Sequence, residues 1–460
     1  MGRPPLPPDH TIEQSAVIAG QRIHYKVTIG TIAIRDETGK AIGQVVYTSY
    51  MVPGHGAARP VTFAFDGGPG GSSVTLNIGG IGPKRLQFGA PGDTGSDAPV
   101  LRDNPASWIG FTDLVFIDPI GTGYSRSLVD TEGTRKAFYG NDQDVHYLSR
   151  VVSDWLIQAH RLPSPKYLLG KSYGGYRVPR IARELQDRVG VGLAGIVLIS
   201  PYLDPAAATQ SSALSPLPRM AELPAMAAAK LEREGRLTPT AMAAVEAYTR
   251  GDYLHDLMSG RSDPNAHARL VQHVAALTGL DTAFVERLDG RVDAASYLRE
   301  IARDQGKIAS RDDPAVTLPD PFPGSSSSRA MDPLYDIAIA PLTSAMVDFY
   351  SRQAGWIVDA PYKTLADDVE DAWEEGAPSD APVSDLRKVL ASDPKVRVLI
   401  AHGWSDLSCP YFLSRLIVDQ LPAWADARVR LDIYPGGHMF YSRLQSAIAF
   451  KQDAEKLYRS

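Results

Sequence analysis

Apolar and polar positions alternate between Gln21 and Met51 and then stop alternating. His24-Tyr25-Lys26-Val27-Thr28-Ile29 and Gly43-Gln44-Val45-Val46-Tyr47-Thr48-Ser49-Tyr50 carry a two-residue period, the pattern of strands with one buried face. Gly30 and the stretch Asp36-Glu37-Thr38-Gly39 separate these runs. The region from Gln21 to Met51 therefore predicts antiparallel hairpins. Residues 1–12 read as a Pro-rich tail. Beyond Met51 the apolar runs become short and continuous, at residues 61–65, 114–117, 167–169 and 195–199, then late in the chain at 396–401 and 429–434. Continuous β-branched runs suit strands buried on both faces. Helical patterns at 142–160 and 176–189 lie between them. Strand and helix in repetition predict an α/β fold, with a mixed, mostly parallel sheet and helices on both faces.

The rhythm breaks between about Asp204 and Pro382. This stretch is rich in Ala, Arg, Glu and Leu and has helix starts at Thr238-Pro239 and Ser262-Asp263-Pro264, where a cap residue precedes Pro. Few strand-like runs occur in it, and Gly324 with Ser325–Ser328 reads as a flexible loop. The expected organisation is an α/β core in two parts, 1–203 and 383–460, with a helical lid inserted at 204–382. No internal repeat is visible.

Composition narrows the function. At 44% apolar and 22% charged, the chain has enough apolar material for a core, which excludes disorder as a whole. No run approaches the roughly 18 apolar residues a membrane span needs. The net charge is −6 and no long basic run stands out, which disfavours nucleic acid as a partner. A single cysteine, Cys409, allows no intrachain disulfide. It fits a cytoplasmic protein as written, or a periplasmic or secreted one if the N-terminus is a processed form. The ten histidines are scattered without His-x-x-x-His or Cys-x-x-Cys spacing, so neither a metal nor another cofactor is expected.

The strongest local signal is Gly170-Lys171-Ser172-Tyr173-Gly174, after a strand-like run and before a helical pattern. A G-x-S-x-G in that context is a nucleophile elbow, in which small flanking residues permit a strained turn that lifts the serine hydroxyl out of the sheet edge. A serine needs a base, and the base an orienting carboxylate. In α/β-hydrolases these follow in the order Ser, acid, His. The run at 396–401 leads into His402-Gly403-Trp404-Ser405-Asp406, and that at 429–434 into Pro435-Gly436-Gly437-His438. Loops at the carboxyl ends of parallel strands are where such sheets place their sites. Ser172 is the candidate nucleophile, Asp406 the acid and His438 the base; His402, at a strand end, reads as structural. An oxyanion needs backbone donors. The N–H of Tyr173 is one, and the Gly-rich stretch Asp66-Gly67-Gly68-Pro69-Gly70-Gly71 after a strand supplies the second.

Taken together, these motifs resemble the serine carboxypeptidases, α/β-hydrolases with a helical insertion. The resemblance rests on Gly67-Gly68-Pro69-Gly70-x-Ser72-Ser73, Gly82-Pro83 and Phe116-Ile117-Asp118-Pro119-x-Gly121-Thr122-Gly123-Tyr124-Ser125. It continues through the elbow, Asp406-x-x-Cys409 and Gly437-His438-Met439, in the family's order. It implies Ser172, Asp406 and His438 as a triad, Gly68 and Tyr173 as oxyanion donors, and a lid that shapes the pocket. The implied activity is release of C-terminal residues from peptides through an acyl-enzyme. Alternatives on the same core are a proline iminopeptidase-like aminopeptidase, an amidase, an esterase or an acyltransferase. The partner implied is a peptide or small acyl substrate; the residues leave the oligomeric state open.

The chain departs from the family where the substrate's terminal carboxylate is held. Asp66 stands in place of the family's Asn, Lys171 in place of the Glu before the nucleophile, and Gly80 in place of a second Glu. Asp66, Gly67 and Lys171 are the candidate substrate-binding residues. Lys171 either pairs with a substrate carboxylate or pairs with Asp66 and packs the site. The first alternative predicts a neutral or mildly alkaline optimum. Cys409 reads as pocket wall, because no base is placed to activate it. Tyr248, Tyr253, Tyr297 and Tyr335 are candidates for pocket lining, with helix packing as the plainer role.

Overall fold

The short apolar runs are strands covered on both sides. All five residues of Val61–Phe65 are buried, as are all five of Gly195–Ile199. In a computed structural model of the chain, which describes residues 4–54, 58–90, 92–208, 214–324, 332–374, 376 and 381–459, they belong to a ten-stranded sheet. Nine of its strands are β1 (His10–Ile18), β2 (Gln21–Arg35), β3 (Ala41–Met51), β4 (Val61–Phe65), β5 (Asp113–Ile117), β6 (Lys166–Lys171), β7 (Gly195–Ile199), β8 (Arg397–Gly403) and β9 (Val429–Tyr434). They lie side by side in the order β1-β2-β3-β5-β4-β6-β7-β8-β9. The two-residue strand Arg126–Ser127 pairs with β3. The first three strands and β5 pair antiparallel; from β5 through β9 every pairing is parallel. The expected mixed, mostly parallel sheet is the one observed.

Alternation along each strand sorts side chains into two cores. Ala64, Phe116, Leu169 and Val197 face one core, which is closed by the helices Pro333–Asp348 and Leu444–Arg459. Phe63, Phe65, Val115, Leu168 and Leu198 face the other, closed by Asn141–Gln158, Tyr173–Glu184 and Ala381–Ser392. This two-sided covering accounts for the loss of alternation after Met51.

Two expectations for the N-terminal region are corrected. The tail is shorter than 1–12, because His10, Thr11 and Ile12 begin β1 and pair with Ile29, Thr28 and Val27. Gly30 does not end a strand; it lies inside the 15-residue β2. Tyr25, Val27 and Ile29 point into the first core, whereas Ile32 and Ile34 point into the second. One strand thus crosses from cover on one face to cover on the other. The phase of its hydrophobic pattern flips at Gly30, which mimics a break.

Segment 204–382 divides in two. Its first half, through the helices Leu217–Arg233 and Pro264–Thr278, builds an apolar cluster of its own that reaches the sheet-end loops through Leu407. Its later helix, Pro333–Asp348, joins the first sheet core through Leu334, Ile337, Leu342 and Met346. Between them stands an antiparallel hairpin, Lys307–Ala309 with Thr317–Pro319. The residue set as the end of the insertion, Pro382, lies within the helix Ala381–Ser392. Ser325–Ser328 lies outside the described residues. Among the described residues no helix is long and apolar enough to cross a membrane.

Candidate active site

At the carboxyl end of β6 the chain turns directly into a helix, and Ser172 is the turn. Its backbone is held at φ 57° and ψ −122°, a conformation that costs a non-glycine residue about 1–3 kcal/mol. The surroundings enforce it. The Ser172 N–H donates to the Ile199 carbonyl at 3.0 Å, and the N–H groups of Gly175 and Tyr202 donate to the Ser172 carbonyl at 2.8 and 3.0 Å. A Cβ at Gly174 would stand 2.5 Å from the Phe65 carbonyl oxygen, so the turn closes only with glycine there.

The loop after β4 lies against this elbow. A Cβ at Gly67 would fall 2.7 Å from the Ser172 Cβ and 2.8 Å from the Tyr173 nitrogen. Only glycine allows that approach. Gly68 follows at φ +105°. Arg177, fully buried on the helix after the elbow, donates Nη1–H to the Asp66 carbonyl at 2.6 Å and Nε–H to Asp144 at 2.5 Å. One guanidinium thus ties the Gly67-Gly68 loop to the helix that begins at Tyr173.

The loops after β8 and β9 bring the acid and the imidazole together across 32 residues. Asp406 is fully buried. Its Oδ1 accepts from the N–H groups of Ser408 at 2.9 Å and Cys409 at 2.8 Å. Its Oδ2 lies 2.9 Å from His438 Nδ1. The His438 backbone is fixed at both ends, its N–H donating to the Asp312 carbonyl at 2.5 Å and its carbonyl accepting from Ser200 Oγ at 2.9 Å. Burial is the largest influence and disfavours the imidazolium, but the Asp406 carboxylate and Asp312 together more than offset it. The His438 pKa is raised above 6.5. The rival His402 lies within β8, is fully buried, and bonds Ser414 Oγ through Nε2 at 2.8 Å. Burial, with His438 adding, takes its pKa down to about 3.

A cavity of about 460 Å³ opens over these groups, lined by Ser172, His438, Gly68, Tyr173, Lys171 and Cys409 among others. That volume suits a small ligand. Lys171 is buried and pairs with Asp66 at 2.9 Å, each side chain 4% exposed. It also donates to Thr75 Oγ1 at 3.2 Å. Burial opposes its charge most, yet Asp66, with Tyr441 and Asp312 adding, more than offsets it, and the ammonium is held above its ordinary value. Asp66 additionally receives the Thr75 hydroxyl on Oδ2 and the Gly67 N–H at 2.7 Å on Oδ1. The Cys409 thiol lies beside the Ser172 hydroxyl, and burial pushes its pKa well up. Of the four tyrosines weighed for the lining, Tyr335 lines the cavity. Tyr253 and Tyr297 pack among the helices of the insertion, and Tyr248 packs against Tyr253 and His273.

The sequence reading missed the hairpin of the insertion. Its turn carries Arg311 and Asp312 into the cavity wall. The Leu407 N–H donates to the Arg311 carbonyl at 3.1 Å, and Ser408 Oγ donates to Asp312 Oδ1. Asp313 pairs with Arg443 at 2.7 Å. The signal was the polar turn Arg311-Asp312-Asp313-Pro314; three-residue strands flanking it left no readable period.

Residues 29–234 match the family model described as serine carboxypeptidase. Among similar curated proteins, the pheromone-processing carboxypeptidase KEX1 of Yarrowia lipolytica is 33% identical over 150 residues, which are 32% of this chain and 22% of that protein. Serine carboxypeptidase-like 36 of Arabidopsis thaliana is 27% identical over 208 residues, 44% of this chain and 39% of that protein. The chain thus spans well under half the length of either. The crystal structure of a prohormone-processing carboxypeptidase, KEX1(delta)p of Saccharomyces cerevisiae, superposes with a TM-score of 0.60 at 16% identity, covering 95% of this chain and 91% of that one. That likeness establishes the shared fold. Residues 29–234 are thus similar to the serine carboxypeptidase family, and the chain as a whole shares the fold of one solved carboxypeptidase.

Proposed function

We propose that the protein is a serine-type carboxypeptidase that releases C-terminal residues from peptides. The observation that carries this reading is the contact between His438 Nδ1 and Asp406 Oδ2 at 2.9 Å, in a cavity that also holds Ser172 on its strained turn. Ser172 Oγ attacks the scissile carbonyl and its proton passes to His438 Nε2. The C–N bond breaks as His438 returns that proton to the departing amine. Water, deprotonated by the same imidazole, then cleaves the acyl-serine ester and frees the enzyme. Asp406 holds the imidazole tautomer and stabilises the imidazolium. The Gly68 and Tyr173 N–H groups receive the oxyanion. Asp66, Gly67 and Lys171 form the wall against which the substrate rests.

The test uses dipeptides blocked at the amino end and dipeptides blocked at the carboxyl end, with wild type and Ser172→Ala. Cleavage of the amino-blocked set alone, abolished in Ser172→Ala, is the expected result. Cleavage of only the carboxyl-blocked set would make the enzyme an aminopeptidase. Substantial turnover by Ser172→Ala would remove the serine from the mechanism, and fluorophosphonate labelling of wild type but not of the variant checks that point separately.

A further inference from the structure

A carboxypeptidase must recognise a terminal carboxylate, and the cavity's charges are unevenly placed for that task. Among the described lining residues three are basic: Lys171, His438 and Arg311. His438 is engaged by Asp406 and is neutral when it acts as base. Lys171 is neutralised by Asp66, and both side chains are buried. Beside them stands Asp312, 3% exposed, whose Oδ2 is buried without a hydrogen-bond partner. The buried wall therefore sets two acids, Asp66 and Asp312, against one base, and the third acid of the described lining, Glu370, is exposed. An incoming carboxylate is disfavoured there, because like charges in a poorly solvated site repel strongly.

Arg311 is the exception. It is exposed, yet its stem is pinned: Nε–H donates to the Leu407 carbonyl at 3.0 Å, and its backbone N–H donates to Asp332 Oδ2 at 2.6 Å. No acid pairs with its guanidinium among the described residues. Its positive charge acts on the Cys409 thiol, which lies beside the Ser172 hydroxyl. It is the one basic side chain of the described lining without an ion pair. A guanidinium also offers the planar two-point donor set that fits a carboxylate.

We infer that Arg311 binds the terminal carboxylate of the substrate, taking over what the family's Glu pair does elsewhere. Lys171 supplies wall and hydrogen bonds but no net charge. The inference rests on the carboxypeptidase reading above. It places the departing residue toward the hairpin of the insertion, with the acyl part reaching the oxyanion loop.

The test compares an amino-blocked dipeptide with the matching amino-blocked amino-acid ester, which has no carboxylate. Arg311→Gln should raise KM for the dipeptide about 10- to 150-fold, the value of one charged hydrogen-bonded contact. The ratio of dipeptide to ester kcat/KM should fall by the same factor. Arg311→Lys should restore part of it, because the charge returns without the fork. A free amino acid should also inhibit ester hydrolysis less in Arg311→Gln than in wild type. Equal losses on dipeptide and ester would overturn the inference by making Arg311 structural. An unchanged dipeptide KM in Arg311→Gln, with a raised KM in Lys171→Met, would assign the carboxylate to Lys171. If wild type cleaves the ester and not the dipeptide, the carboxypeptidase reading itself fails, and the role of Arg311 with it.

Discussion

The end of β8 and the loop after β9 each bring a buried histidine to Asp406, and the protein treats the two in opposite ways. His438 lies 2.9 Å from the carboxylate and its pKa is raised; His402 lies 3.9 Å away and its pKa falls to about 3. Both are fully buried. Burial alone expels charge from an imidazole. A direct hydrogen bond to a carboxylate reverses that, and one ångström decides which histidine receives it. His402 spends its Nε2 on Ser414 instead. The lesson is that proximity in sequence to the acid, four residues for His402 against 32 for His438, says little about which ring it will serve.

The largest break in this contrast is Asp406→Asn. It removes the charge that sets His438 apart, and kcat should fall about 10⁴-fold through the wrong tautomer and an unsupported imidazolium. A loss below tenfold in steady-state kinetics would mean that Asp406 does not orient the base.

Next in size is His402→Gln. Loss of the buried bond to Ser414 should cost about 1–3 kcal/mol in denaturant unfolding. The pH dependence gives the sharper reading. The folded pKa of His402 is depressed, so below the ordinary imidazole value near 6.5 the unfolded chain binds a proton that the folded chain refuses. Stability is then lost at about 1.4 kcal/mol per pH unit as pH falls from 6.5 toward 3. The variant should lack that part of the slope. Identical slopes would show that His402 titrates normally.

Smallest are the field effects on His438. In the proposed mechanism it must be neutral to accept the Ser172 proton, and its pKa is raised. The acid limb of kcat/KM should therefore lie above pH 6.5, with activity lost as pH falls through it. Asp312 raises this pKa and Lys171 lowers it. Asp312→Asn should move the limb down and Lys171→Met should move it up, each by about a unit or less. Movement of both limbs in the same direction would contradict the charge arrangement of the inner wall.

Much of the site was legible because its backbone is crowded. The elbow, the Gly67-Gly68 loop and Gly436-Gly437 before His438 each need glycine where chains approach closely, and glycine at such points survives as a readable spacing. The fully covered strands were legible as continuous apolar runs. Where one strand serves two cores, the same reasoning failed, and β2 read as two strands divided at Gly30. The hairpin at Lys307–Ala309 and Thr317–Pro319 was invisible, because three-residue strands carry no period.

By itself the sequence determined the alternation of strands and helices in the parallel part of the sheet, the elbow, and the Ser, Asp, His order of the candidate triad. These follow from local backbone sterics and from periodicities that span a few residues. Only the tertiary structure decided the pairing of Lys171 with Asp66, the opposite pKa shifts of His402 and His438, and the arrival of Arg311 and Asp312 at the cavity. Ser408 and Asp312 are 96 positions apart, as are Lys171 and Thr75. Charge, burial and hydrogen bonding depend on distances of a few ångströms between such remote residues, and those distances exist only once the chain has packed.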